Sequence, residues 1–172
     1  MLLSKNFTLK EFLKSNVAKR RGLELNPPKE HIRNMQMLCI KVLQPLRDYL
    51  GPIKINSGWR SLELNKALGG AYREKKNKDG SITKIYSQHC KGQAADLHFV
   101  DKNGKANNKM IFDAILKLGI EFDQMINEFD YRWIHISFVC CKEGKNRNRL
   151  LQAYKDENNR TKYKRIKEYK SL

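Results

Sequence analysis

Two histidines and one aspartate are the residues of this chain best suited to chemistry. His89 and Asp96 lie seven residues apart in Ser87-Gln-His-Cys-Lys-Gly-Gln-Ala-Ala-Asp96, with Gly92 between them, and Asp96 opens a strand-like run, Leu97 to Val100. Gly92 allows the backbone to bend between the two. His135 belongs to Trp133-Ile-His-Ile-Ser137, a second strand pattern, where it takes the face opposite the isoleucines. Two imidazoles and one carboxylate leave the fourth position of a tetrahedral zinc free, which is the pattern of catalytic sites. The chemistry implied is metal-assisted hydrolysis with one Zn2+ per chain, its ligands at about 2.0–2.2 Å.

Such hydrolysis needs a base to take a proton from the attacking water and return it to the leaving amine. Phe122 to Phe129 and Arg132 to Val139 read as two strands joined by a turn at Asp130-Tyr131. With an even number of turn residues Glu128 pairs with Trp133, and alternation puts Glu128, Trp133, His135 and Ser137 on one face. Asp130 is the competing acid. His98 shares the strand parity of Asp96 but is read as lying outside the ligand set. Cys90 has no Cys-x-x-Cys partner, which leaves zinc ligation as its minor reading. His31, among charged residues in the first turn of a helix, reads as a surface histidine.

The elements that must position these groups follow from periodicity and punctuation. Thr8-Leu-Lys-Glu11 has capping-box spacing, with Phe7, Phe12, Leu13 and Val17 around it, and predicts a helix to about Lys19. Asn26-Pro27-Pro28 opens a longer helix with Ile32, Met35, Leu38, Cys39, Val42, Leu43 and Leu46 on one stripe, kinked or restarted at Pro45 and ended by Gly51-Pro52. Ile53 to Ser57 alternates as a strand. Gly58-Trp59-Arg60-Ser61 then turns the chain into a short helix, stopped by Gly69-Gly70. Ala71 to Tyr86 is a lysine-dense surface excursion centred on Asp79-Gly80, a hairpin that delivers the chain into Ser87 and His89 as one wall of the site. Asn107 caps a helix with Met110, Ile111, Ala114, Ile115 and Leu118 on its apolar side. From Lys142 the chain carries eleven Lys and Arg against four Asp and Glu, with Leu150, Leu151 and Tyr154 as one helical patch. The fold class is α+β: residues 1–141 form a small antiparallel sheet bearing the zinc site and packed with helices, and 142–172 form a basic helical appendage.

In 172 residues, 35 Lys and Arg against 18 Asp and Glu leave a formal charge of +17. A polyanion is the partner this charge implies: nucleic acid, an anionic lipid surface or an acidic wall polymer. No apolar run approaches the roughly 18 residues of a membrane span, and Met1-Leu2-Leu3 before Ser4-Lys5-Asn6 is too short for a signal sequence. Synthesis in the cytoplasm without cleavage is expected, and with it free thiols at Cys39, Cys90, Cys140 and Cys141.

Ser57-Gly-Trp-Arg60-Ser, Ser87-x-His89-x-x-Gly92-x-Ala94-x-Asp96, and Gln124-x-Ile126-x-Glu128 followed by Trp133-x-His135 occur in that order. Together they resemble the zinc D-Ala-D-Ala carboxypeptidase family, which includes phage L-alanyl-D-glutamate endopeptidases and other endolysins. Phe7-Thr8-Leu9 and Val42-Leu-Gln-Pro45-Leu-Arg47 extend the likeness, which runs from about Asn6 to Ser137. The resemblance implies His89, Asp96 and His135 as zinc ligands, Glu128 as the base, Arg60 as the group that binds a substrate carboxylate or the developing oxyanion, and Ser87 as a hydrogen-bonding partner of the peptide backbone. Trp59 and Trp133 are candidates for the cleft floor. One departure is Arg132, which stands where several relatives carry an acid, three residues before the last histidine. The segment from Tyr72 to Ile85 is longer than the family pattern.

Peptidoglycan stem peptides are the implied substrate of a monomeric phage or prophage enzyme, which reaches the wall by holin-type release or inside a virion. Its basic tail and insertion would hold it on anionic wall material or lipopolysaccharide. The choice between carboxypeptidase and endopeptidase is left open by these motifs. Two other readings compete: an inactive relative used as a wall-binding or virion module, and a basic nucleic-acid-binding protein with a structural metal.

Overall fold

A computed structural model describes residues 1–140 and 144–167. Its centre is a six-stranded sheet in the order β1-β4-β6-β5-β7-β8, with β2 and β3 forming a separate hairpin. The strands are β1 (Ile53–Ser57), β2 (Tyr72–Lys76), β3 (Ile82–Tyr86), β4 (Ala94–Phe99), β5 (Gln124–Glu128), β6 (Trp133–Ser137), β7 (Arg149–Lys155) and β8 (Thr161–Arg165). The helices are α1 (Leu9–Phe12), α2 (Asn16–Arg20), α3 (Lys29–Leu38), α4 (Gln44–Leu50), α5 (Leu62–Ala67) and α6 (Lys109–Lys117). The α+β class holds.

Alternation divides the central strands between two faces. Ala95, Leu97, Met125, Ile134 and Ile136 are fully buried on one face, against Leu38, Val42 and Leu46 of the long helical stretch and Ile111, Phe112 and Ile115 of α6. Each of these side chains larger than alanine contributes about 1.5–3 kcal/mol on removal from water. The other face carries Asp96, Glu128 and His135 and opens into a cleft. One register therefore fixes both the core and the site.

Several expectations change in detail. The N-terminal helix breaks into α1 and α2, because Ser15 accepts from the Ala18 amide at 3.2 Å and starts a second helix. The long helix does restart near Pro45, through a π-helical turn at Cys39–Leu43 followed by α4. Proline has no N–H to donate to the preceding turn, and a wider turn absorbs that loss. Asn108, not Asn107, sits at the N-cap of α6, and its side chain works elsewhere: its Oδ1 accepts from the Phe99 amide at 2.7 Å, and its Nδ2 donates to the carbonyls of Tyr131 and Arg132 at 2.9 Å.

The largest correction concerns the C-terminal segment. Residues expected to form a basic helical appendage are strands: β7 pairs parallel with β5, and β8 returns antiparallel to β7. The sheet is consequently mixed rather than wholly antiparallel. Leu150 and Leu151 fit a helical stripe equally well, but neighbouring apolar residues on a strand pack one on each face. Cys141 and residues 168–172 lie outside the described residues; Cys39, Cys90 and Cys140 are free thiols as expected.

Arg147 ties this segment to the sheet. Its Nε donates to Asp123 Oδ1 at 2.7 Å and its Nη2 to Oδ2 at 2.5 Å, while Gln88 Nε2 donates to the same Oδ2 at 2.9 Å. Burial pushes the Asp123 carboxyl up, but the hydrogen bonds and charge of Arg147 outweigh it and hold the group below its ordinary value. Arg147→Ala strands a carboxylate that is only 2% exposed, and because the guanidinium itself is 46% exposed the expected loss is about 1–2 kcal/mol at neutral pH. A depressed folded-state pKa stabilises above the unfolded carboxyl's value of about 4, and that contribution disappears as pH falls through the folded value. Urea unfolding of parent and variant should therefore differ at pH 7 and converge near pH 2. An equal gap at both pH values would remove the ion pair as its cause.

Candidate metal centre

Three ligand atoms converge where β4, β6 and a 3-10 turn (Gln88–Lys91) meet. The register sets Asp96 directly opposite His135. Asp96 Oδ1 is 3.0 Å from His135 Nδ1 and 3.3 Å from His89 Nε2, and the two ring nitrogens are 3.2 Å apart. Tetrahedral zinc with bonds near 2.0–2.1 Å separates its ligand atoms by about 3.3 Å, so the donor set and its spacing fit that ion. All three groups are buried: His89 is 2% exposed, and both Asp96 and His135 are 9% exposed.

Two of the three groups are aimed by neighbours outside the cluster. The Gly58 carbonyl lies 2.7 Å from His89 Nδ1. A carbonyl only accepts, so the ring carries its proton there and presents a bare Nε2 to the centre. Gly58 owes its position to a close approach, since a Cβ there would lie 2.6 Å from the backbone of Phe12. Gly92 ends the 3-10 turn at φ +70°, and a Cβ on it would lie 2.3 Å from the His31 carbonyl oxygen. The bend expected between the two ligands is thus both left-handed and too crowded for a side chain. Ser87 caps that turn by accepting from the His89 amide at 3.4 Å.

Asp96 is shared between the centre and Arg60. Arg60 Nη2 donates to its outer oxygen at 2.8 Å, and Arg60 is itself steadied by Ser57 Oγ at 2.9 and 3.1 Å. Burial works against the ionised carboxylate, but its close contacts with His89 and His135 outweigh it and hold Asp96 far below the carboxylate range. Burial also lowers the His89 pKa, assisted by Arg60 and His135 and opposed by Asp96, which favours the neutral ring a metal needs. Arg60 reaches the centre through Asp96, and among its described contacts Nη1 makes no hydrogen bond.

Glu128 pairs with Trp133, as the even turn requires, and the loop 129–132 has four residues. Phe129, Asp130 and Tyr131 take positive φ values of 50°, 58° and 61°, a run held by Asn127 Oδ1, which accepts from the Tyr131 amide at 2.6 Å, and by Asn108. Glu128 lines the cleft beside His135 and is 8% exposed, whereas Asp130 is exposed at the loop tip. Burial, with the charge of Asp96, pushes the Glu128 carboxyl up to about 7 against the opposing pull of His135 and Arg60.

The remaining candidates separate cleanly. His98 lies 3.1 Å from Asn108 Nδ2 and is no part of the cluster. Cys90 is buried, and burial raises its thiol to about 11. His31 is not a ligand, but it is half-buried rather than fully exposed: its Nδ1 accepts from Trp59 Nε1 at 3.1 Å. Only the contact across the fold shows this, since Trp59 and His31 are 28 residues apart. Trp59 and Trp133 both line the cleft, and the hairpin β2–β3 contributes Arg73 and Ile85 to its wall. Asn108 and Gln88 had no motif to mark them.

A family model described as peptidase M15 matches residues 5–137. No curated protein and no solved structure matches the chain.

Proposed function

Since the chain belongs to the peptidase M15 family of zinc-dependent metallopeptidases, we propose that it hydrolyses a stem-peptide amide of peptidoglycan, as a phage or prophage endolysin. The observation that carries this reading is the His89–Asp96–His135 triangle with zinc-compatible edges, set beside a buried carboxyl in the same cleft. His89, Asp96 and His135 would hold a zinc ion, which would supply Lewis-acid activation of a water and of the scissile carbonyl.

The protein's own groups do the rest. Glu128 accepts the proton of the attacking water and passes it to the leaving nitrogen. A base with a pKa near the working pH can do both. Arg60 fixes Asp96 through Nη2, and in this reading its remaining donor serves a substrate carboxylate or the oxygen on which charge develops. Ser87, which lines the cleft, hydrogen-bonds the substrate backbone in this reading. Trp59 and Trp133 form apolar surface beneath the peptide. The net charge of +17 would concentrate the protein on anionic wall polymer or lipopolysaccharide.

The test is metal content together with turbidity loss of purified peptidoglycan. Bound zinc with clearing, and new amino groups released from the stems, supports the reading. A zinc-loaded protein inert on every wall preparation would overturn it in favour of a wall-binding relative.

A further inference from the structure

The cleft continues past the matched residues onto the C-terminal hairpin. Asp96 stands opposite His135, His135 opposite Ile126, Ile126 opposite Leu151, and Leu151 opposite Arg165. Cross-strand partners share a face, so metal ligands, an apolar floor and a guanidinium follow one another along a single line of the sheet. All five residues line the cleft. At roughly 4.8 Å per strand, Arg165 is about 14 Å from His135 measured between Cα positions. Arg149, opposite Gln124, faces the same way and also lines the cleft.

These two arginines differ from Arg60 and Arg147 of the same cleft. Arg60 is engaged by Asp96 and Arg147 by Asp123, whereas Arg149 and Arg165 have no acidic partner among the described residues. Both are exposed. Two like charges on one wall repel each other, and a carboxylate between them removes that repulsion while taking up planar, paired donors.

We propose that Arg149 and Arg165 form a carboxylate-binding subsite, which selects peptides carrying a free carboxylate some distance from the scissile bond. An extended peptide advances about 3.3–3.6 Å per residue, so the span, less the reach of an arginine side chain, places that carboxylate about two to four residues away. The intervening residues cross Ile126 and Leu151 and are small or apolar. The substrate class is thus an acidic peptide rather than a neutral one, and the proposal rests on the peptidase reading of the same centre.

The test uses the zinc-loaded full chain and two synthetic stem peptides that differ only in a carboxylate or carboxamide at the distal position. The acid should show a KM about tenfold lower than the amide, as expected for a solvent-facing charge-assisted contact. The double variant Arg149→Gln, Arg165→Gln should lose this preference with kcat, zinc content and melting temperature unchanged, and Arg165→Lys should retain part of it. Equal KM values in the parent, or a preference that survives in the double variant, would overturn the subsite while leaving the peptidase reading intact. Hydrolysis of neither peptide would count against the peptidase reading. Equilibrium binding would then decide the subsite: acid-selective binding lost in the double variant supports it, and equal binding overturns it.

Discussion

Glutamine in place of Glu128 is expected to slow hydrolysis about a thousandfold with the zinc content unchanged, because it removes the proton acceptor and leaves the ligands untouched. The size follows from general-base catalysis, which contributes about 10²–10⁴, and from the three central strands β4, β5 and β6 offering no acid besides Glu128 and Asp96. Asp130, the other acid of this stretch, is exposed on the loop, beyond the strand face that carries His135. An active Glu128→Gln protein would transfer the role to Asp130. The same variant has a signature independent of turnover. Burial and the charge of Asp96 raise the Glu128 carboxyl to about 7 in the metal-free protein, above the ordinary glutamate value of about 4.3. A raised acid pKa means that the folded chain holds the proton more tightly than the unfolded one. Stability therefore declines as pH rises through this window, and the ionised side chain costs about 2 kcal/mol above it, after discounting for residual hydration. Metal-free Glu128→Gln should accordingly be more stable than the parent at pH 8 and equal to it at pH 4. A variant that is no more stable at pH 8 would show that the carboxyl is not held in its neutral form.

His135→Ala is expected to abolish both stoichiometric zinc binding and hydrolysis. Loss of a group that merely orients a ligand costs about 10–100-fold in metal affinity, and loss of a ligand itself costs more. Among the described residues the centre has three donors, so two remaining groups hold zinc poorly at micromolar concentration. The fold should survive: His135 sits on the cleft face, while its neighbours Ile134 and Ile136 fill the core on the other side. Metal analysis after gel filtration, with circular dichroism as the control, reads this directly. Full zinc retention would mean that the ion is held by a different set of residues.

The His89–Asp96–His135 cluster was legible in the sequence because its residues are tied to local patterns. His89 and Asp96 lie within ten residues of a glycine bend, and both His135 and Glu128 follow from the alternation of two adjacent strands joined by a short loop. What was not legible depends on distant partners. Gly58 reads as a turn residue, yet its carbonyl sets the His89 tautomer and its missing Cβ lets α1 approach. The link from His31 to Trp59, the Asn108 hub beneath the loop 129–132 and the Arg147–Asp123–Gln88 chain join segments with no shared motif. The C-terminal strands were missed for a related reason. A strand that pairs in parallel with a distant one carries no hairpin turn to announce it, and Leu150-Leu151 satisfies a helical period as well as a sheet.

That hairpin also settles how the sheet ends. Without β7, the outer side of β5 would present a row of unpaired amides and carbonyls, a template for another chain. With it, the free margin passes to β8, Thr-Lys-Tyr-Lys-Arg, a short, wholly exposed strand in which three of five side chains are cations. At the opposite margin, β1 is interrupted by a register shift between Ile55 and Ser57. Charge at one border and irregularity at the other resist edge-to-edge stacking, so copies brought to high local concentration are kept from joining their sheets into fibres.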